Sequence, residues 1–125
     1  MNIPSADLLE KTDYCGLVSG AEVDKSEVFQ VFYGKLGTAP MIRECPVTLE
    51  CRLLQPVPLP TNTLFIGEIA GVWADPSVMK DGRPDFRTMN PLLLTMPDNT
   101  YWTLGPAAGR AWNAGLRLKK AEKGG

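Results

Sequence analysis

The sequence predicts a mostly β fold with a few helices, in the α+β class, and two long runs carry this prediction. In residues 47–54, apolar and polar side chains alternate, which is typical of a half-buried strand. Residues 63–74 form a second strand, and a period of two places Gly67, Gly71 and Trp73 on one of its faces. Glycines inside a strand indicate a bulge, strong coiling or the close approach of another group.

Two helices are expected before these strands. The first begins after Ser5, a residue type that caps helix N-termini, and ends near Gly16. The second covers about residues 24–33, where Asp24 is a suitable N-cap and apolar residues crowd most of the circumference. Gly34 follows it as a suitable C-terminal cap.

The segment between the two strands, residues 55–60, is expected to form an extended connection outside the sheet. Its three prolines each remove a donor from a strand ladder. The later elements are shorter: a turn over 79–84 around Asp81-Gly82, a helical turn over 84–89, strands over 92–95 and 101–103, and a final helix over 107–118 after Gly105-Pro106. Residues 119–125 are expected to form a flexible tail.

The length and composition fit one globular domain. The chain has 125 residues, 44% hydrophobic residues and a net charge of -1. It therefore lacks the basic excess that nucleic-acid binding requires. Its longest apolar runs fall far short of the roughly 20 residues of a membrane helix, and its first residues do not resemble a secretion signal. We expect a cytoplasmic protein with no nucleic-acid partner and no membrane partner.

Residue counts restrict the chemistry that the side chains can perform. The absence of histidine excludes Ser-His-Asp and Cys-His nucleophiles and histidine-based metal sites. Cys15, Cys45 and Cys51 cannot all pair within one chain, and three thiolates without histidine do not complete a four-ligand zinc site. We expect reduced thiols and no metal. Redox chemistry would have to come from a bound organic cofactor or from carboxylate, Lys or Tyr groups.

Several stretches of the chain resemble the flavoredoxin branch of the flavin reductase family. The most specific pair is residues 49–53 (Leu-Glu-Cys-Arg-Leu) followed by residues 65–69 (Phe-Ile-Gly-Glu-Ile). The other stretches are 12–20, 23–26, 39–40, 45–51, 64–69 and 101–115. The similarity extends from Met1 to about Leu118, so that residues 1–118 are expected to form one flavin reductase-like domain.

The resemblance implies a partial split β-barrel of the FMN-binding type with flanking helices, in which these two strands are antiparallel neighbours. It also implies FMN as the cofactor, near the subunit interface of a homodimer or higher homo-oligomer, with a redox partner or NAD(P)H exchanging electrons. Such domains begin with further strands that carry most of the contacts to FMN. This domain is therefore expected to be N-terminally short.

The same resemblance selects six residues for contact with FMN and none as catalytic. They are Lys25, Asn62, Thr63, Leu93, Leu94 and Tyr101. Lys25 matches the Lys of an Asp-Lys pair that the family places near FMN, and a cation at a helix start beside free N–H groups suits an anion. Asn62 stands where relatives often carry His. The structural alternatives are a solvated Lys, an ordinary turn, and packing of the leucines and Tyr101 in the core or an interface.

Two functions follow, and a third is weaker. The first is a flavin-linked redox protein that performs electron transfer or NAD(P)H:flavin reduction. The second is a non-catalytic, truncated split-barrel remnant that forms an obligate dimer and binds no flavin. The third is a small-molecule binding module that uses the same half-site. Glu50, Arg52 and Glu68 are expected to pair across the two strands rather than act as acid-base groups.

Overall fold

The computed structural model describes residues 1–121, which form a long hairpin surrounded by shorter elements. The strands are β1 (Asn2–Ile3), β2 (Val31–Phe32), β3 (Met41–Ile42), β4 (Val47–Pro58), β5 (Thr63–Ala74), β6 (Met79–Lys80), β7 (Arg83–Pro84), β8 (Leu92–Thr95) and β9 (Thr100–Thr103). The helices are α1 (Leu9–Leu17), α2 (Phe86–Met89) and α3 (Leu116–Ala121), with 3-10 turns at Ala6–Leu8, Lys25–Val28 and Pro76–Val78. The sheets are β1-β4-β5, β2-β3, β6-β7 and β8-β9. This confirms the mostly β, α+β prediction.

The long hairpin of β4 and β5 is antiparallel, as predicted, and it contains two bulges. The ladder runs from Val47↔Ala74 to Pro58↔Thr63, and its register shifts between Glu50 and Cys51 and again between Leu53 and Gln55. Gly71 lies opposite Glu50, and Gly67 lies opposite Leu53. Both glycines therefore lie at bulges, where a strand bends and its twist increases.

The first bulge corrects the predicted face of Gly71 and Trp73. Cys51 pairs with Ile69 whereas the neighbouring Glu50 pairs with Gly71, so Ala70 is the extra residue. Because directly paired residues share a face and successive residues alternate, Ile69 and Gly71 lie on opposite faces. Gly67 shares the face of Ile69, and Trp73 shares that of Gly71. The prediction that all three residues lie on one face was wrong because an unpaired residue inverts the alternation.

The prolines after residue 54 also required a correction, because β4 continues through Pro56 and Pro58. Residues two apart in a strand direct their backbone nitrogens to the same edge. Both prolines lie opposite β5 residues, Phe65 and Thr63, in continuous register. Their nitrogens can therefore point to the edge of β4 away from β5, where no ladder donor is lost.

The core lies at one end of the hairpin. Val47, Val78 and Met89 are buried there, with the partly buried Ile3, Leu49 and Ala74 packed against them. Ile3 comes from β1, which pairs with the first residues of β4, while Val78 and Met89 come from the elements after β5. The chain segments on both sides of the hairpin are thus anchored on its Val47–Ala74 end.

The predicted second helix is wrong beyond its first turn. A 3-10 turn covers Lys25–Val28, and Asp24 caps it by accepting a hydrogen bond from the Ser26 amide at 2.9 Å. The chain then forms β2, which pairs with β3. Val31 and Phe32 have strand propensity, and antiparallel pairing outweighed the helical pattern. Gly34 is not a helix cap. A Cβ there would lie 2.5 Å from the Trp73 ring, so glycine allows this close approach.

The final helix was predicted too early in the chain. Turns cover residues 111–115, and only α3, from Leu116 to Ala121, is helical. Trp112 has a positive φ of 58° and is 97% exposed, so no packing offsets the cost of helix formation there. Of the tail predicted over 119–125, residues 119–121 belong to α3, and residues 122–125 lie outside the described part of the chain.

The remaining predictions of local structure are confirmed. The first helix is present as the turn Ala6–Leu8 followed by α1, although the Ser5 side chain makes no capping hydrogen bond. Asp81 and Gly82, with φ of 51° and 73°, form the two-residue turn between β6 and β7, as type I′ hairpin turns require. Strands are present where 92–95 and 101–103 were expected.

Candidate functional site

Lys25 joins the 3-10 turn to the end of α1. Its Nζ donates a hydrogen bond of 2.6 Å to the carbonyl oxygen of Cys15, in the last turn of the helix. A cation at this position satisfies a free carbonyl and opposes the negative end of the helix dipole. Lys25 also lines a shallow cleft of about 430 Å³ formed by residues 20–26. The neighbouring Asp24 is the N-cap, and its hydrogen bonds from Ser26 lower the pKa of its carboxyl.

The β8–β9 hairpin contains three of the other predicted residues. Leu94 pairs with Tyr101, and Leu93 pairs with Trp102. Leu93 and Leu94 therefore project from opposite faces of the hairpin, and one planar ligand could contact only one of them from a given side. The Tyr101 hydroxyl donates to Asp13 Oδ1 at 3.3 Å. Desolvation and, to a lesser extent, the carboxylate of Asp13 raise the pKa of Tyr101.

Asn62 and Thr63 lie at the tip of the long hairpin. The Asn62 carbonyl accepts a hydrogen bond from the Leu59 amide at 2.8 Å, and Thr63 begins β5 opposite Pro58. At about 3.3 Å per residue, the tip lies roughly 35 Å along the strand from Val47. Both side chains are exposed, and they are far along the strand from the core end of the hairpin.

The six predicted residues thus occupy three parts of the fold. Helix α1 links two of these parts, because Lys25 binds Cys15 and Tyr101 binds Asp13. The hairpin tip is the third part and is far from the core end. FMN requires a concave site that surrounds most of its surface with a few converging polar groups. Asn62 and Thr63 lie at the end of the hairpin opposite to the core, so the six residues do not form one cluster at the core end.

Glu50 is a buried polar side chain with a structural role that was not predicted from the sequence. It is 0% exposed. Its Oε2 accepts from the Lys35 amide at 3.0 Å, and its Oε1 accepts from the Leu36 amide at 2.9 Å. The carboxylate thereby fixes the loop after β2 against β4. The predicted strand-to-strand pairing is found instead for Arg52 and Glu68, whose exposed charges lie 2.8 Å apart.

A cleft of about 230 Å³ lies beside the core end of the hairpin, on the side of Trp73. The rings of Phe32 and Trp73 meet edge to face, with centroids 6.4 Å apart. The Arg43 guanidinium lies 5.3 Å from the Phe32 centroid, within the range of a cation–π contact. Aromatic surface and one cation are therefore present, but none of the six predicted residues lines this cleft.

The cysteines are unpaired thiols, as predicted. Cys15 and Cys51 are partly buried, and Cys45 is buried. Burial, with a smaller effect of Glu44, raises the pKa of Cys45 to about 11. Cys15 and Cys45 both line a small apolar cavity of about 150 Å³. Over residues 1–121, no cluster of acidic residues and cysteines has the geometry of a metal site.

Comparison with known proteins gives a consistent family signal. The model of the flavin reductase like domain matches residues 1–97. The flavoredoxin of Methanosarcina acetivorans is 53% identical and superimposes with a TM-score of 0.91 over 94% of this chain. The flavoredoxin of Desulfovibrio vulgaris (Miyazaki F) is 31% identical, with a TM-score of 0.82 over 91% of this chain.

A more distant structure agrees in fold. The putative flavin reductase with a split barrel domain from Shewanella frigidimarina NCIMB 400 is 20% identical over 89% of this chain, with a TM-score of 0.71. The chain covers 63% of the first flavoredoxin, 62% of the second and 58% of the Shewanella protein. It therefore spans less than two thirds of each structure. In the described part of the chain, no helix is long and apolar enough to cross a membrane.

Proposed function

Because the chain belongs to the flavin reductase like domain family, we propose that it is a flavin-linked redox protein of the flavoredoxin type, which binds FMN as a homodimer. The superposition on the Methanosarcina acetivorans flavoredoxin, at 53% identity, is the observation that carries this proposal. The reaction class is electron transfer or NAD(P)H:flavin reduction. The reduced thiols of Cys15, Cys45 and Cys51 favour the cytoplasm as its compartment.

The distribution of the six predicted contact residues supports a homodimer. Lys25 and Tyr101 lie against α1, whereas Asn62 and Thr63 lie at the tip of the long hairpin. A single chain keeps these groups apart. In a dimer, the tip of one chain can approach α1 of the other, and the groups can converge on one ligand. We therefore propose that the FMN site is shared between two copies.

Exposed apolar side chains support an assembly. Trp102 and Leu104 are each 52% exposed, and Leu93 is 53% exposed on the same hairpin region. Soluble monomers rarely leave large contiguous apolar patches in water. Aromatic residues are also enriched at interfaces between subunits.

Titration of FMN into the purified chain tests the proposal. We expect flavin fluorescence to be quenched with saturation, and the bound flavin to remain with the protein after desalting. Lys25→Met should weaken FMN binding about tenfold, because a charge-assisted hydrogen bond is lost. Lys80→Met, a change of the same type on the exposed β6–β7 hairpin, should leave it unchanged. Unquenched flavin at every protein concentration would contradict the proposal.

The second candidate is the remnant that dimerises and binds no flavin. It is favoured by the cleft beside Trp73, whose lining includes none of the six predicted residues. Both candidates predict a dimer, and they differ in bound flavin. Only the first predicts a dimer that retains the visible absorbance of flavin. A colourless dimer with no flavin quenching would select the remnant.

A further inference from the structure

Two of the three cysteines line one small cavity, although they come from separate elements. Cys15 lies in the last turn of α1, and Cys45 lies in the turn between β3 and β4. The cavity that they share has a volume of about 150 Å³, which is roughly 7 Å across if it is spherical. Its other lining residues are Asn2, Pro4, Thr12, Phe29 and Ile42. The fold therefore brings together two thiols that are far apart in the sequence.

An ion pair shows independently that α1 and this turn lie side by side. Lys11 Nζ lies 3.8 Å from Glu44 Oε1. Lys11 is one helical turn before Cys15 and on the same face of α1, and Glu44 directly precedes Cys45. Glu44 is itself fixed, because both of its carboxylate oxygens accept from the Gln30 amide at 3.1 Å. The helix face that carries Cys15 is thus directed at the segment that carries Cys45.

Helix α1 is attached to the rest of the fold by polar contacts rather than by a buried face. None of its residues is buried. The Lys11–Glu44 ion pair is partly exposed on both sides, and the hydrogen bond from Tyr101 to Asp13 is exposed. Exposed pairs of this kind contribute little to stability. The last turn of α1 can therefore move toward the cavity without disrupting the core, and it would gain packing contacts there.

The two thiols differ in their access to solvent. Cys15 is partly buried, whereas Cys45 is buried. A small polar oxidant therefore reaches Cys15 first. Burial raises the pKa of Cys45 to about 11, so this thiol is protonated at neutral pH and does not compete as the first nucleophile. An accessible thiol with a second thiol close by is the arrangement of redox-sensitive cysteines.

We propose that Cys15 and Cys45 are a redox-active thiol pair, which hydrogen peroxide oxidises to an intramolecular disulfide that fixes the last turn of α1 to the turn before β4. The Cys15 sulfur attacks one peroxide oxygen. The S–O bond forms, the O–O bond breaks, and the hydroxide that leaves takes up the thiol proton as water. The Cys45 sulfur then attacks the Cys15 sulfur. The S–S bond forms, the S–O bond breaks, and a second water leaves with the proton of Cys45. Two electrons pass from the sulfurs to the peroxide, and a thiol reductant reverses the reaction.

Cys51 does not fit this pair. It does not line the cavity. It lies on β4 four residues beyond Val47, which is roughly 13 Å along the strand. Its Sγ donates to the carbonyl oxygen of Leu49 at 3.7 Å. Since Cys51 and Cys15 are both partly buried, Cys51 serves as an internal control for a thiol away from the cavity.

Mass spectrometry of the full chain after treatment with hydrogen peroxide tests the proposal. We expect the mass to fall by two hydrogen atoms and, after digestion without reductant, a peptide pair linked through Cys15 and Cys45. Cys51→Ser should form the same link. Cys45→Ser should instead carry a sulfenic acid on Cys15, which dimedone traps. Oxidation of Cys15 in the unmodified chain without this link, or a link that includes Cys51, would overturn the proposal.

Amide hydrogen exchange tests the consequence for the fold. The amides of α1 should exchange at least about tenfold more slowly in the oxidised chain, because the disulfide suppresses local opening of the helix. Dithiothreitol should restore the original rate, and the β6–β7 hairpin should be unaffected. Equal exchange of α1 in the oxidised and reduced chains would overturn the proposal. This measurement uses the unmodified chain, so it stays valid if Cys45→Ser folds poorly. None of these readouts requires FMN, so the flavin proposal can fail independently.

Discussion

Replacing Glu50 by Gln should destabilise the fold strongly, although the two side chains have nearly the same shape. Each carboxylate oxygen accepts one backbone N–H, from Lys35 at 3.0 Å and from Leu36 at 2.9 Å. An amide retains one acceptor and turns an NH2 group toward the other N–H. One backbone N–H then donates to a neutral amide oxygen, which makes a weaker hydrogen bond than a carboxylate. The other backbone N–H faces the NH2 group, and both of these buried donors lack an acceptor. At about 1–3 kcal/mol for a buried unsatisfied group, we expect a loss of about 2–3 kcal/mol.

Denaturation by urea, monitored by tryptophan fluorescence, measures this loss. Glu68→Gln is the matched control, because Glu68 lies on the same sheet and its pairing with Arg52 is exposed on both sides. Exposed ion pairs contribute at most about 1 kcal/mol. Equal unfolding free energies for the two variants would refute the claim that Glu50 fixes the loop after β2.

Three further predictions concern glycine, cysteine and lysine side chains. Gly34→Ala should cost about 1–3 kcal/mol of unfolding free energy, because its Cβ would overlap the Trp73 ring. Gly16→Ala, where nothing lies within 4 Å, should stabilise α1 by up to about 1 kcal/mol, and equal effects would contradict the packing. Burial raises the pKa of Cys45 from 9.0 to about 11. The buried neutral thiol therefore contributes fully to the stability of the folded state below pH 9, and this contribution is lost as the pH rises to 11. Urea titrations should show this loss, on the order of 2 kcal/mol, and its absence in Cys45→Ala. Lys25→Met should lower stability by about 1 kcal/mol through the loss of its bond to Cys15, whereas Lys80→Met should have no effect on the melting temperature.

The sequence predicted the elements whose patterns have a purely local cause. The alternation in residues 47–54 and the long run 63–74 predicted both strands of the long hairpin, and Asp81-Gly82 predicted the turn between β6 and β7. These signals depend on side-chain periodicity and on the φ angles that turn residues tolerate, and neither requires knowledge of distant contacts.

Two of the errors occurred where pairing between strands decided the outcome. Val31 and Phe32 fit a helical pattern, but pairing with Met41 and Ile42 made them a strand. The bulge at Ala70 reversed the face of Gly71 and Trp73, and a single extra residue leaves no periodic signal.

The sequence predicted which residues belong to the candidate site, but not where these residues lie in the fold. The resemblance selected Lys25 and Tyr101, and the structure shows that both contact α1. It also selected Asn62, which lies at the tip of the long hairpin, at the end opposite to the core. A resemblance in short segments selects residues, but it does not show whether those segments lie close together in the folded chain. Glu50 was missed as a loop-fixing residue, because burial of a carboxylate depends on amides that lie 14 and 15 residues earlier.

Sedimentation velocity of the chain mixed with FMN, followed at the visible absorbance of the flavin, tests the flavin-linked dimer most directly. We expect the flavin signal to sediment together with a species of two chains and to return to the free boundary on dilution below the dimer dissociation constant. A flavin signal that stays with the free small molecule at every protein concentration would contradict the account, whatever the protein boundary shows.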